Sequence, residues 1–343
     1  MKNFLLILIT LSVLISCNKK EEVQTESKEV NVYTHRHYES DKKLFKEFET
    51  ETGIKINVIK ADGDQLIARI EQEGDNSPAD LLLTVDAGNL WKAKEKGITQ
   101  SISSEELNSN IPSHLRDDEG HWYGLTKRAR FIVYSLDRVK KEELSTYEDL
   151  ANPKWKGKIL IRPSSNIYNQ SLIASMIAHN GIENTKTFTE AFVKNFARKP
   201  AGSDRDQVKA VAAGEGDLAI VNSYYIAKML NSDDELERNV AHKIGVFFPN
   251  QEDRGTHINI SGGMILKNAP NKDNAIKLLE FLSSEKAQQE FANANYEYPV
   301  KEGINTLGIL KEWGIFKEDT LPLSELGKNN IEAVKIFDIV DWN

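Results

Sequence analysis

Residues 79–85, ADLLLTV, are nearly all apolar and stand between two helical patterns. A run this short and apolar on both faces reads as a strand buried from both sides, the kind found where helices cover a parallel sheet. Its neighbours agree. Residues 29–34 (EVNVYT) alternate and carry β-branched side chains, so they predict a strand. Residues 41–52 set Leu44, Phe45 and Phe48 at helical spacing, and Gly53 stops that helix. A strand over 54–59, a helix over 65–73 closed by Gly74, and a helix over 91–96 ending at Gly97 complete the series. Strand and helix alternating in this way predict an α/β lobe with a parallel sheet. Such sheets bind ligands at the carboxyl ends of their strands.

The second half repeats the theme less regularly. Residues 121–136 pass from a polar loop into a strand in which Arg128 and Arg130 alternate with apolar residues and so share a face. That segment reads as a crossover between lobes, with a guanidinium turned to the cleft. Trp155 packs a turn before a strand over 158–162, and a helix follows from about Tyr168 to His179, ended by Gly181. Helices over 187–196 and 207–213 precede a strand over 218–221, and Tyr224-Tyr225 open the next helix. A strand over 243–248 leads to GTHINISGGM (255–264), a second crossover in which His257 is structural. Helices over 274–282 and 284–292 follow, with Tyr296 and Tyr298 flanking a turn. Trp313, Phe316, Phe337 and Trp342 predict a docked tail.

The chain has 343 residues and a formal charge of −8, enough length for two domains and too acidic for a nucleic-acid binder. Removing residues 1–16 makes the charge −9, because Lys2 is the only charged side chain among them. A short positive start, an apolar run over 4–15, and Leu14-Ile15-Ser16-Cys17 predict an export signal rather than a membrane span, which needs about 20 apolar residues. Those four residues also resemble the site at which bacterial lipoproteins are cut and acylated, which would anchor the chain through Cys17. Cys17 is the single cysteine, so no disulfide framework and no thiolate metal site can form within one chain. Residues 18–28 are polar and read as a tether. There is no phosphate-binding loop, dinucleotide glycine pattern, zinc-protease helix or nucleophile elbow.

The side chains with chemistry are aromatic. His37-Tyr38 directly follow the first strand, and Tyr168, Tyr224 and Tyr225 fall at helix starts after strands. Helix N-termini favour anions, here the phenolate form of tyrosine. Phenol titrates near pH ~10, so only a strong Lewis acid ionises it at neutral pH, and ferric iron does so readily. Taken singly, each residue has a plainer reading. A His-Tyr pair in a loop is most often solvated surface, and of two adjacent helical tyrosines, about 100° apart, one normally packs inward and one outward.

The stretches RHYESD, SPADLLLTVDAG, GHWYGLTKRARFIVY, SSNIYNQSL, NSYYIAKMLNSDD, GVFFPNQ and RGTHINISGG run in order from about residue 32 to 300. Together they resemble the bacterial ferric iron-binding proteins of ABC uptake systems, in particular the cyanobacterial branch. The resemblance implies a type II periplasmic-binding-protein fold, two α/β lobes that close on Fe(III) as transported cargo. It assigns residues 29–126 and 256–300 to one lobe, and 127–255 and 301–343 to the other. It implies His37, Tyr38, Tyr168, Tyr224 and Tyr225 as metal ligands, Arg128 as a neighbour of the site, and a possible synergistic anion. It further implies a monomer, an ABC permease as partner, a periplasmic or cell-surface location with a lipid anchor at Cys17, and no enzymatic activity. Relatives carry an arginine where this chain has Lys228, to which no contact is assigned. The alternatives are a binding protein for an oxyanion or a polyamine on the same fold, or an iron–tyrosinate enzyme.

Overall fold

The computed structural model describes residues 28–36 and 38–343. The export signal, Cys17 and the tether through residue 27 lie outside the described residues, as does His37. The first half is β1 (Glu29–Thr34), α1 (Glu39–Thr52), β2 (Lys55–Lys60), α2 (Gly63–Glu73), β3 (Leu81–Val85), α3 (Ala87–Glu95) and α4 (Glu105–Asn110). A 13-residue strand follows, β4 (Tyr123–Ser135). Then come β5 (Ile159–Leu160), α5 (Ile167–Asn180), α6 (Ile182–Val193), α7 (Asp204–Ala213), β6 (Leu218–Asn222), α8 (Ser223–Leu230) and α9 (Glu235–Ala241). The chain ends with β7 (Ile244–Phe247), β8 (Ile258–Ile265), α10 (Lys272–Ser283), α11 (Glu285–Asn295), β9 (Tyr298–Pro299), α12 (Gly308–Trp313), α13 (Ser324–Lys328) and α14 (Asn330–Ile339).

The predicted parallel sheet forms among the first three strands, in the order β2-β1-β3. It then departs from a purely parallel sheet. β8 returns from far downstream and pairs antiparallel to β3, Leu81 opposite Ile265. A strand arriving from the other half enters from the opposite end, so its direction is set by the crossover rather than by a βαβ unit.

β4 joins the two halves. Its first part, Tyr123 to Ala129, pairs with β8, and its second, Arg130 to Tyr134, pairs with β6. β7 pairs along the same second part, Ile132 opposite Phe247. Nearly every side chain of β4 is buried, so it is covered on both faces and spans both cores.

One core gathers Val30, Phe48, Leu82, Leu125, Ile260, Leu278 and Phe291. A second collects Ile132, Trp155, Met176, Phe192, Ile220 and Trp342, and a third Phe131, Val208, Val221, Ile226 and Leu310. The tail is docked as predicted: Phe337 and Trp342 complete the second core, and the Trp342 indole donates to the Arg162 carbonyl at 3.0 Å. Leu323 and Leu326 join the first core instead, and α13 packs against both α3 and α5.

Two glycines of β8 let helices sit close to the sheet. A Cβ on Gly262 would lie 2.7 Å from Leu90 Cδ1 and 2.7 Å from the Tyr123 carbonyl oxygen, and the carbonyl belongs to a rigid neighbouring strand. Gly262→Val therefore lowers stability by about 1–3 kcal/mol. The check is a urea unfolding midpoint that falls at constant slope; an unchanged midpoint contradicts this packing.

Candidate functional site

The carboxyl ends of β1 and β6 and the starts of three helices converge on one cavity of about 270 Å³. Tyr38, Tyr168, Tyr224 and Tyr225 all line it. Tyr38 is the N-cap of α1, Tyr168 the second residue of α5, and Tyr224 and Tyr225 the second and third of α8. Each phenol thus stands where a helix begins, at the end that carries a partial positive charge.

The adjacent pair on α8 does not split between core and surface. The rings of Tyr224 and Tyr225 lie 4.2 Å apart and 34° from parallel, and both reach the cavity. The Tyr224 and Tyr168 hydroxyl oxygens are 3.4 Å apart.

Cations pack around these rings. Three guanidinium groups flank Tyr168, with Cζ of Arg128, Arg162 and Arg130 at 5.3, 5.5 and 5.7 Å from its centroid. The shared face predicted for Arg128 and Arg130 is therefore real, and it is turned to Tyr168. Arg130 is held by its surroundings, donating to Asn169 Oδ1 at 2.7 Å and Asn222 Oδ1 at 3.1 Å. Arg128 differs: it is buried, its Nη2 lies 3.6 Å from Asp86 Oδ2, and its Nε, Nη1 and Nη2 have no hydrogen-bond partner among the described residues.

Tyr38 is buttressed from its own half. Arg36 lies 5.0 Å from its ring centroid and is fixed by a bidentate pair with Asp41, at 3.0 and 2.9 Å. Arg36 also reaches the fully buried Glu297 at 3.5 Å.

Burial pushes the Tyr38, Tyr168 and Tyr224 hydroxyls above the ordinary phenol value. Glu297 adds to this at Tyr38, while Arg36 and Arg128 oppose it. These phenols thus keep their protons at neutral pH in the metal-free protein, yet stand in a field that would support phenolates once a stronger charge arrives.

Lys228, to which the sequence assigned no contact, has one. It lines the cavity, with Nζ 4.3 Å from the Tyr38 ring centroid and 5.6 Å from that of Tyr224. Burial, more than its neighbours, lowers its pKa to about 8. His35 and Arg205 also line the cavity and were not singled out in the sequence. Lys228 follows Tyr225 by one helical turn, a spacing that could have flagged it. His257 lies behind the site, buried, its pKa lowered to about 3 by burial and by Arg130 and Arg128. It is a neutral core histidine, and Tyr296 and Tyr298 do not line the cavity.

Among the described residues, the cavity lining holds no carboxylate. Among the described residues, no cluster of three or more His, Cys, Asp or Glu is placed to hold a metal. Phenol oxygens are therefore the hard donors available here.

A ligand cleft between two α/β halves joined by crossover strands defines a type II periplasmic binding protein. Comparison with known proteins agrees. The family model "Bacterial extracellular solute-binding protein" matches residues 76–309. Iron uptake protein A1 of Synechocystis sp. is 50% identical over 92% of this chain and 88% of its own. Iron uptake protein A2 of the same organism is 46% identical over 97% and 95%. The Trichodesmium structure in complex with iron and citrate ligands superposes with a TM-score of 0.90 at 53% identity, covering 92% of this chain and all of that one. The chain belongs to the bacterial extracellular solute-binding protein family, in the branch of these cyanobacterial iron uptake proteins. It is a periplasmic solute-binding component of a transport system, not an enzyme.

Hydroxyls that await a ligand should not hold the fold. Tyr224→Phe keeps the ring contact with Tyr225 and loses only a long hydroxyl contact. In urea unfolding of metal-free protein it stays within about 1 kcal/mol of wild type. A loss of several kcal/mol would give the hydroxyl a structural role instead.

Proposed function

We propose that this chain captures ferric iron as cargo, with Tyr38, Tyr168, Tyr224 and Tyr225 binding as phenolates and His37 as the imidazole neighbour or ligand. The observation that carries this reading is the convergence of these tyrosines, drawn from both halves of the chain, on one small cavity whose described lining has no carboxylate. Its similarity to the Synechocystis iron uptake proteins and to the iron- and citrate-bound Trichodesmium structure supports it. In this reading residues 29–126 with 256–300 form one lobe and 127–255 with 301–343 the other. Tyr168, Tyr224 and Tyr225 meet the metal first, and closure brings Tyr38. The unused donors of Arg128 receive a synergistic anion, for which citrate, bound with iron in the Trichodesmium relative, is the natural candidate. The loaded monomer then passes iron to an ABC permease, while acylated Cys17 tethers it to the membrane.

A polyamine site would need carboxylates, and among the described residues the cavity lining has none; it is bordered instead by Arg205 and Lys228.

Ferric citrate added to purified protein gives a visible phenolate-to-iron absorption band. Tyr225→Phe weakens binding by about a hundredfold or more, beyond the ~10–100-fold typical of outer-shell partners. Replacing Tyr168, Tyr224 and Tyr225 together by Phe abolishes the band; iron uptake unchanged in that variant would refute the reading.

The pH dependence has a definite sign. Binding must displace phenolic protons that burial holds in place. Affinity therefore falls as pH falls, by about tenfold per pH unit for each proton displaced. A dissociation constant that is flat from about pH 8 to about pH 5 contradicts phenolate ligation. Cys17→Ser, expressed from the full chain, moves the protein from the membrane pellet to the soluble fraction; retention in the pellet would refute the anchor.

A further inference from the structure

At the foot of the cavity, beyond Val85, stands a carboxylate that the function above does not use. Asp86 follows β3 with φ 77° and ψ 128°, a backbone conformation that residues with side chains rarely adopt. It is completely buried. A residue stays in such a conformation where its surroundings over-determine it, and here the surroundings are polar contacts. Oδ1 accepts from the Gly88 backbone N–H at 2.9 Å and from the Ser171 hydroxyl at 2.6 Å. Oδ2 accepts from the Asn259 side-chain amide at 2.9 Å and lies 3.6 Å from Arg128 Nη2.

These partners stand on four different elements. Gly88 is in the first turn of α3, Asn259 lies on β8, Arg128 on β4 and Ser171 on α5. Ser171 is one turn beyond Tyr168 on the same helix, and Arg128 is the guanidinium over the Tyr168 ring. The two helix starts are in close contact as well, since a Cβ on Gly88 would come within 3.4 Å of Ile167 Cδ1. One carboxylate thus links the end of β3, both crossover strands and the helix that presents Tyr168.

We propose that Asp86 is a positioning residue of the cleft, a clasp that fixes α5 and Arg128 against each other so that Tyr168 is set for the metal before it arrives. The proposal rests on the iron-capture reading above. Asn at this position keeps the shape and one acceptor. It also turns an N–H₂ group toward Arg128 and Asn259 and removes the negative charge facing the guanidinium. Ala at 171 removes only the bond to the opposite half and leaves the Gly88 cap and the Asn259 bond in place.

A residue that merely capped α3 would affect stability and not the metal. The experiment measures iron dissociation from the full mature protein into a competing chelator, for wild type, Ser171→Ala, Ser171→Thr and Asp86→Asn. Thermal unfolding of each metal-free protein is recorded alongside. Ser171→Ala is expected to release iron about tenfold faster, the size of a lost hydrogen bond to a charged group. Ser171→Thr, which restores the hydroxyl, returns the rate toward wild type, and Asp86→Asn releases iron at least as fast as Ser171→Ala. Wild-type release from Ser171→Ala overturns the proposal, even if its thermal midpoint drops. So does release from Ser171→Thr as fast as from Ser171→Ala, which would assign the effect to packing. If Asp86→Asn fails to fold, the two Ser171 variants decide alone. A wild type that holds no iron refutes the iron-capture reading instead, and the same titration reports it.

Discussion

The site depends on β4, a strand that belongs to both halves of the molecule. Its first part is hydrogen-bonded to β8 and its second to β6. A strand shared in this way brings residues from two cores into one frame, because ladder hydrogen bonds fix register on both sides. The alternation of Arg128 and Arg130 then sets two guanidinium groups on the face that meets Tyr168. Tyr168 in turn meets Tyr224, which follows β6 directly. With β8, which pairs with both β3 and β4, and α13, which packs on both α3 and α5, the shared strand aligns Tyr38 with the tyrosines of the second half.

The electrostatic design follows from burial. Several phenols in one small cavity cannot ionise together unaided, because desolvation and mutual repulsion both keep their protons on. Surrounding cations reduce that penalty without removing it: Arg128, Arg130 and Arg162 at Tyr168, Arg36 and Lys228 at Tyr38. In the ferric-iron reading proposed above, the remainder comes from the ligand. A trivalent hard cation supplies it, whereas a monovalent cation does not.

Much of this was legible in the chain. β1 begins and ends where the alternation places it, and α1, α2 and α5 end at the glycines that the sequence marks as stops. The tyrosines were legible because each follows a strand, and ligand sites gather at strand ends. Other features left no local trace. The antiparallel return of β8 beside β3 is decided by a segment far away in sequence. Lys228 carries the right helical spacing, but whether its amine turns to solvent or folds over a ring depends on Tyr38, which comes from the other half. Asp86 reads as an ordinary residue after a strand, since neither its positive φ nor its bond to Ser171 is written in its neighbours.

The central claim is that protonated phenols become phenolates on a ferric ion. Its most direct test counts protons released per ferric ion bound at constant pH, in an unbuffered titration with a chelate of known proton content. The account predicts one proton for each phenol displaced, with the count falling by one for each of Tyr38, Tyr168, Tyr224 and Tyr225 replaced by Phe. Iron bound with no proton released, or a count that these substitutions leave unchanged, would contradict it.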